Sequence, residues 1–360
     1  MSDVELNEEE LLESNNEIYK CPGCGANLKY NSTIQGLHCS YCDYQMLING
    51  STSTEEFELT FDDNINEWVD EVKKGNCSNC GASIILDKNL LTCNCPFCNT
   101  PMVISSEDII GLKPNRVIPF KISQGEVIDN YKKWLKKKFF VPRKLKKNLP
   151  DPHLFTVYVP SWTFDSNVIA SYKGRLGKRY TTTVGSGKNR RTVTRIRYYR
   201  ISGLHQKNVD DLVVMSGKSI SQQELNEILP FNTNNSFLYD NRYIVGHTAE
   251  HYSINLKNGW KIGQELIEEQ VKREILRKYN YDVVDYFKMN PTYNNIMYKY
   301  VILPIWTCHY IYHKKAYKFL VNGETGKVNG KTPVSILKVL LLVAICMILI
   351  ILFSILYINM

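Results

Sequence analysis

Four Cys-x-x-Cys pairs stand near the start of the chain: Cys21 with Cys24, Cys39 with Cys42, Cys77 with Cys80, and Cys95 with Cys98. Each pair makes a tight turn that aims two sulfurs at one ion. Fourteen residues separate Cys24 from Cys39, and again Cys80 from Cys95, long enough for a short hairpin to bring the second pair back. Four thiolates then close a tetrahedral site, the ligand set of structural zinc. A displacement of 56 residues superposes the two sets and also lays Gly25 on Gly81, Ala26 on Ala82 and Met46 on Met102, as an internal duplication of zinc ribbons would. A four-cysteine site keeps no open coordination position, so the expectation is two structural zinc ions per chain and no chemistry at the metal, with an iron-sulfur centre or a redox pair as the alternatives. Cys93 could compete with Cys95, but only Cys95 preserves both the pair and the displacement, so Cys93 is read as a spectator.

In a reducing compartment thiols stay free, and paired Cys-x-x-Cys knuckles there bind metal instead of forming disulfides, so the cysteine reading rests on where the chain lies. The first residues, MSDVELNEEELLES, have neither a basic n-region nor an apolar h-region, so no secretory signal is read there and the chain is expected to begin in the cytosol. Residues 339–358, VLLLVAICMILIILFSILYI, run without a charge. As a helix they are about 30 Å long, enough to cross a bilayer core. Lys327, Lys331 and Lys338 precede this run, and the positive-inside bias keeps the bulk of the chain cytoplasmic. The expectation is a tail-anchored, single-pass protein of the cell membrane.

Around these features the chain divides into an acidic disordered tail (1–18), ribbon 1 (19–47), an acidic linker (48–74), ribbon 2 (75–105), an α+β body (112–330) and the transmembrane helix (339–358). In the linker, Ile65, Trp68, Val69 and Val72 fit one face of a short helix, and the segment reads as a spacer with little chemistry of its own. The formal net charge of +8 is unevenly spread: residues 121–200 hold twenty Lys/Arg against four Asp/Glu, a local net of +16. Such a region points to an anionic partner, either a membrane surface or nucleic acid.

Within the body, Val127, Ile128, Tyr131, Trp134 and Leu135 recur at helical spacing, with Lys132, Lys133, Lys136 and Lys137 on the opposite face. LFTVYVP reads as a strand ending at Pro160, and residues 168–201 as a hairpin turning at GSGKN with Arg195 and Arg197 on one face. These four lysines and two arginines are the candidates for contact with membrane or nucleic acid. Gly185-Ser-Gly-Lys188 is no phosphate loop, because Thr182 and Asn189 stand where that motif needs Gly and Ser/Thr. A second similarity, at a displacement of 144, relates VYVPSWT (157–163) to VILPIWT (301–307). Each is preceded by a helical pattern, the second running from Gly263 to Tyr279 after the strand-like AEHYSINL. The body is therefore expected to contain two strand-helix-strand units, each extended by a hairpin, with the Pro-x-Trp pairs as packing anchors.

No catalytic constellation emerges. On a strand His309 and His313 face one side and Cys308 the other, so no shared metal or nucleophile-base pair is expected. Asp210 with Asp211, and Glu268 with Glu269, read as solvated carboxylates, and the chain is expected not to be an enzyme.

The order of CPGCGA, CSNCGA, VYVPSWTFD and YVILPIWTCHYIYHKKAYKFLVNGETGKVNGKTP before an apolar helix resembles the bacterial TFIIB-type zinc-ribbon-containing proteins, over nearly the whole chain. Members are often labelled primosomal protein N-prime-like or helicase-like. No helicase nucleotide motif is present, so the resemblance does not imply unwinding. Some members with a terminal membrane helix are encoded near phage-shock protein A and stomatin/prohibitin-type proteins, which implies scaffolding at a stressed membrane, with a protein of one of those types as partner. Only the eight ligand cysteines carry over from the family. The resulting expectation is a membrane adaptor that recruits protein partners, with basic helix and hairpin against the anionic leaflet. The alternative is a membrane-tethered nucleic-acid-binding, replication-associated protein without helicase activity. No small-molecule substrate is expected.

Overall fold

The computed structural model describes residues 19–60, 73–86, 92–98, 100–103, 112–147 and 152–358. The acidic tail and the linker residues Ile65, Trp68, Val69 and Val72 lie outside the described residues. Ribbon 1 is a three-stranded antiparallel sheet of β1 (Lys29–Asn31), β2 (Gly36–His38) and β3 (Gln45–Leu47). After it comes β4 (Phe57–Glu58), and then ribbon 2 with two hairpins, β5 (Lys73–Asn76) with β6 (Ser83–Leu86) and β7 (Thr92–Asn94) with β8 (Pro101–Val103).

The body opens with β9 (Arg116–Val117), α1 (Gln124–Lys137) and α2 (Arg143–Lys147). Next come β10 (His153–Val184), β11 (Arg191–Met215), α3 (Gln222–Ile228), β12 (Phe237–Leu238), β13 (Thr248–Glu250) and α4 (Leu256–Arg277). The last elements are β14 (Val283–Tyr312), β15 (Lys315–Asn322), β16 (Val328–Gly330) and the apolar α5 (Ile336–Ile358). Helices and a mixed sheet thus share one body. Strands β10, β11 and β14, of 32, 25 and 30 residues, form an antiparallel blade in the order β11-β10-β14. Alternation sets its faces. Val168, Ala170 and Leu176 are buried toward α4, whereas Ile169, Lys173 and Arg175 face out.

The two Pro-x-Trp stretches pair with each other, antiparallel, with Val159 opposite Leu303. Sequence reasoning ends the first strand at Pro160, since proline lacks a ladder donor, yet β10 continues. The lateral neighbour of β10 changes at that point, from β13 at Tyr158 to β11 at Ser161, so the missing N–H falls in a gap where only the Pro160 carbonyl is needed, as acceptor for Ser216 N. Pro304 sits in the matching gap of β14, between β9 and β15, with its carbonyl accepting from Gly323 N. Both indoles tie a helix start to the sheet: Trp162 Nε1 donates to Ile254 O (2.9 Å) ahead of α4, and Trp306 Nε1 to Ile122 O (3.2 Å) ahead of α1.

Helix α4 begins at Leu256, earlier than the expected Gly263, because Asn255 caps it by accepting from Asn258 N, and only Thr248–Glu250 of the strand-like AEHYSINL is strand. Gly259 and Gly263 allow its first turns to rest on the rings of Trp162 and Phe164. His313 lies off the strand. It forms with Lys314 the two-residue turn between β14 and β15, both at positive φ (48° and 62°), the twist that a tight hairpin requires.

Candidate metal centres and basic surfaces

Each four-cysteine cluster is assembled from two like turns. In ribbon 1, Cys21 N donates to Ala26 O (2.7 Å) and Gly25 N to Cys21 O (2.8 Å), with Gly25 at φ 72°. In ribbon 2, Cys77 N donates to Ala82 O (2.9 Å) and Gly81 N to Cys77 O (2.8 Å), with Gly81 at φ 73°. Glycine meets the left-handed backbone there without a Cβ penalty. The sulfurs converge: Cys21 and Cys42 Sγ are 3.3 Å apart, Cys24 and Cys39 3.5 Å, Cys77 and Cys98 3.5 Å, Cys80 and Cys95 3.6 Å. Sulfurs on a tetrahedral ion at about 2.3 Å stand about 3.8 Å from one another, so both clusters are suited to one structural zinc ion each. The Cys93 side chain lies outside what is described.

Neither ribbon hangs free. In ribbon 2, β6 joins the body sheet by pairing with β13, and buried Phe97 enters a core with Val157, Val213 and Ile305. Two groups of β14 hold the second knuckle: Thr307 Oγ1 and the His309 Nε2 hydrogen donate to Pro96 O at 2.6 and 3.2 Å. Burial holds the His309 imidazole below its usual range, which favours the neutral ring with one N–H. Ribbon 1 docks through Tyr30, whose N donates to Val245 O (3.1 Å) and whose ring meets Tyr243 and His247.

The start of the linker is also more than a spacer. β4 pairs with β14, and Arg116, 1% exposed, donates to Ser53 Oγ (2.9 Å) and Glu55 O (2.6 Å). Lys299, also 1% exposed, meets Glu56 at 2.9 Å and Asp211 at 2.7 Å, and Asp165 accepts from Asp211 N (2.8 Å). Burial acts to lower the Lys299 pKa, but its two carboxylate partners outweigh it and hold the ammonium above the usual lysine range. Asp165 is pushed up to about 7 by burial together with the Glu56 and Asp211 charges. The ammonium is thus the cation of this acidic cluster. Asp211, read from sequence as solvated, is a buried ion-pair partner. Spacing along the chain gave no signal of this, because Glu56 and Lys299 are brought together only by the sheet.

In full-length comparison the chain is 27% identical over 320 residues to uncharacterized protein YdjG of Bacillus subtilis, an alignment that spans 88% of this chain and 90% of that one. No family model matches, and no solved structure matches. At that identity YdjG is a distant relative over most of the chain.

The basic candidates fall into two separate places. Lys132, Lys133, Lys136 and Lys137 are exposed on α1, whose other face buries Val127, Tyr131 and Leu135 against Cys308, Tyr310 and Phe319. Arg195 and Arg197 lie near the tip of the blade, paired with Tyr180 and Lys178. Leu154, beside α1, and Tyr180 stand toward the two ends of β10, roughly 85 Å apart along the strand at about 3.3 Å per residue. Helix and hairpin therefore do not form one surface. At the tip, Arg197 lies 5.4 Å from the Tyr180 ring centroid, and Arg175 lies 4.8 Å from that of Tyr198.

The α1–α2 corner adjoins the one long apolar helix of the described residues. Lys338 Nζ, in the first turn of α5, donates to Phe139 O and Val141 O at 2.7 Å each. Residues Ile336–Ile355 have a mean hydropathy of 3.3 and none of that span is buried, so α5 is long and apolar enough to cross a membrane. Asn322, in the NGETGKVNGKTP segment before it, closes a turn. Its Oδ1 accepts from Glu324 N and Thr325 N, and its Nδ2 donates to Ile228 O and Pro230 O, all at 2.9 Å.

Proposed function

We propose that the protein is a non-enzymatic zinc-ribbon adaptor, anchored in the cell membrane by α5 with its body in the cytoplasm, that recruits protein partners. The observation that carries this reading is the bond from Lys338 to the α1–α2 turn, which brings the C-terminal end of α1, with Lys136 and Lys137, toward the start of the apolar helix. Near an anionic leaflet each Lys or Arg is worth about 1 kcal/mol, so partial engagement of this corner suffices to orient the body. The blade then points its tip away from the corner, as a recruiting surface for a partner such as a stomatin/prohibitin-type or phage-shock protein A-like protein. This refines the expectation that helix and hairpin both lie on the leaflet. We further infer that the ribbons, and separately the two strand-helix-strand stretches, arose by duplication, on the strength of their matched turns, prolines and indole bonds.

The test is crosslinking in intact cells followed by purification from membranes. A protein partner recovered with the full chain, and lost when Arg195 and Arg197 are changed to Glu, supports the adaptor. A chain that remains soluble, or ribbons digested by protease added outside the cell, would remove the anchored cytoplasmic reading. A second reading, a membrane-tethered nucleic-acid binder, draws on the arginines lying against tyrosine rings at the blade tip, where a strand could be held by its phosphates and stacked bases. Tight DNA or RNA binding near 0.15 M salt, falling linearly in log salt, would favour it over the adaptor.

A further inference from the structure

The turn joining α1 to α2 is aromatic where a surface turn is ordinarily polar. Phe139 is 63% exposed and Phe140 37%, and their rings meet edge to face with centroids 5.2 Å apart. The turn is fixed to the start of α5 by three bonds: Ser335 N donates to Phe140 O (2.8 Å), and Lys338 Nζ to Phe139 O and Val141 O. It therefore stands at the level where α5 would enter a bilayer, beside the exposed side chains of Val334, Ile336 and Leu337.

Cations surround this apolar pair. Residues 132–147 hold nine Lys/Arg and no Asp/Glu. Lys138 Nζ lies 4.7 Å from the centroid of Trp134, an indole that is itself half-buried. Partial burial, with the Lys338 ammonium close by, holds Lys146 below the usual lysine range, so positive charge is crowded here without an acidic counterpart on α1 after Asp129. A solvated basic face has no need of two exposed phenylalanines at its centre, and a protein-docking face has no need to sit level with the first turn of a membrane helix. Aromatic rings flanked by Lys/Arg favour the headgroup boundary, where the rings leave water and the cations meet lipid phosphate.

We infer that Phe139 and Phe140 form a second, monotopic attachment of the body, entering the headgroup–acyl boundary of the same bilayer that α5 crosses while the surrounding Lys/Arg bind anionic lipid headgroups. This rests on α5 spanning the membrane. The attachment would hold the body at a fixed tilt, because a single helix end permits swivelling and two points of contact do not.

The test uses the full chain in lipid nanodiscs, either zwitterionic phosphatidylcholine or a mixture with anionic phosphatidylglycerol, with the photoreactive residue p-benzoylphenylalanine placed singly at positions 139, 140, 198 and 353. Lipid adducts are expected at 139, 140 and 353, with none at 198 on the blade. In anionic discs carrying Lys136→Glu, Lys137→Glu, Lys144→Glu and Lys147→Glu together, the yield at 139 should fall to that in neutral discs, with zinc content unchanged as the check on folding. Adduct at 353 without adduct at 139 and 140 overturns the second attachment and leaves the span. Absence of adduct at 353 removes the span on which it rests. A yield at 139 indifferent to both lipid charge and lysine reversal overturns the headgroup contact.

Discussion

Lys299 shows what a buried charge demands of its surroundings. It is held by Glu56 from the linker and Asp211 from β11, and loss of the ammonium would strand those carboxylates. Lys299→Met should therefore cost about 3–5 kcal/mol, read as a lower midpoint of chemical denaturation. Asp165 acts in the opposite sense. Its pKa, raised to about 7 from 3.8, means that the folded chain binds a proton that the unfolded chain releases, so its favourable contribution is present below pH 4 and is lost as pH rises toward 7. Asp165→Asn keeps the oxygen that accepts from Asp211 N and removes the titration. The variant should be more stable than wild type at pH 8 by about 1–2 kcal/mol after discounting for partial solvation, and the difference should vanish near pH 4. A difference independent of pH would show that the carboxyl is not the titrating group. Sequence spacing disclosed the eight zinc ligands, since a chelating turn is local, but was silent on this cluster, whose members come from four distant segments.

At the scale of elements, α1 was legible from its apolar period, to which the structure adds a Ser123–Glu126 capping box, and the hairpin of β10 with β11 from its alternation and its turn at GSGKN, whereas the length of the blade and its pairing with β14 were not. Proline normally ends a strand, and only the exchange of neighbouring strands at Pro160 and Pro304 removes the need for its donor. Helix α4 depends on close approach. A Cβ on Gly259 would lie 2.4 Å from Trp162 Cδ1, while one on Gly125 in α1 would meet nothing within 4 Å. Alanine gains up to about 1 kcal/mol over glycine in a helix. Gly125→Ala should thus be neutral or mildly stabilising, whereas Gly259→Ala should lose about 1–3 kcal/mol, because pushing back a buried indole outweighs helix propensity. Thermal denaturation of the two variants side by side tests this; equal behaviour would mean that the indole yields freely.

Across the whole molecule, the two ribbons are parts of the body's packing. Ribbon 2 shares a sheet with β13 and a core with β10 and β14, so its metal supports more than itself. Metal analysis of the full chain in detergent should give zinc near two equivalents. Cys77→Ser with Cys80→Ser should reduce this to one and lower the melting temperature of the body, since a ribbon without its ion does not hold its fold. One equivalent lost with an unchanged melting transition would show that the docking contributes nothing. Deletion of residues 335–360 should release the chain from membranes, and a truncated chain still on the membrane would show that α5 is dispensable for attachment.

By itself the sequence determined what depends on neighbours along the chain: the paired cysteines, the amphipathic α1 and the uncharged run of α5. A chelating turn, a helical face and a bilayer-spanning length are all set within a few turns of backbone. Only the tertiary structure decided that Glu56 meets Lys299, that the ribbons are docked, and that the turn after α1 is bonded to the start of α5 while Arg195 and Arg197 stand near the far tip. These relations are fixed by which strands pair, and antiparallel pairing of β10 with β14 joins residues more than a hundred positions apart that no local period connects.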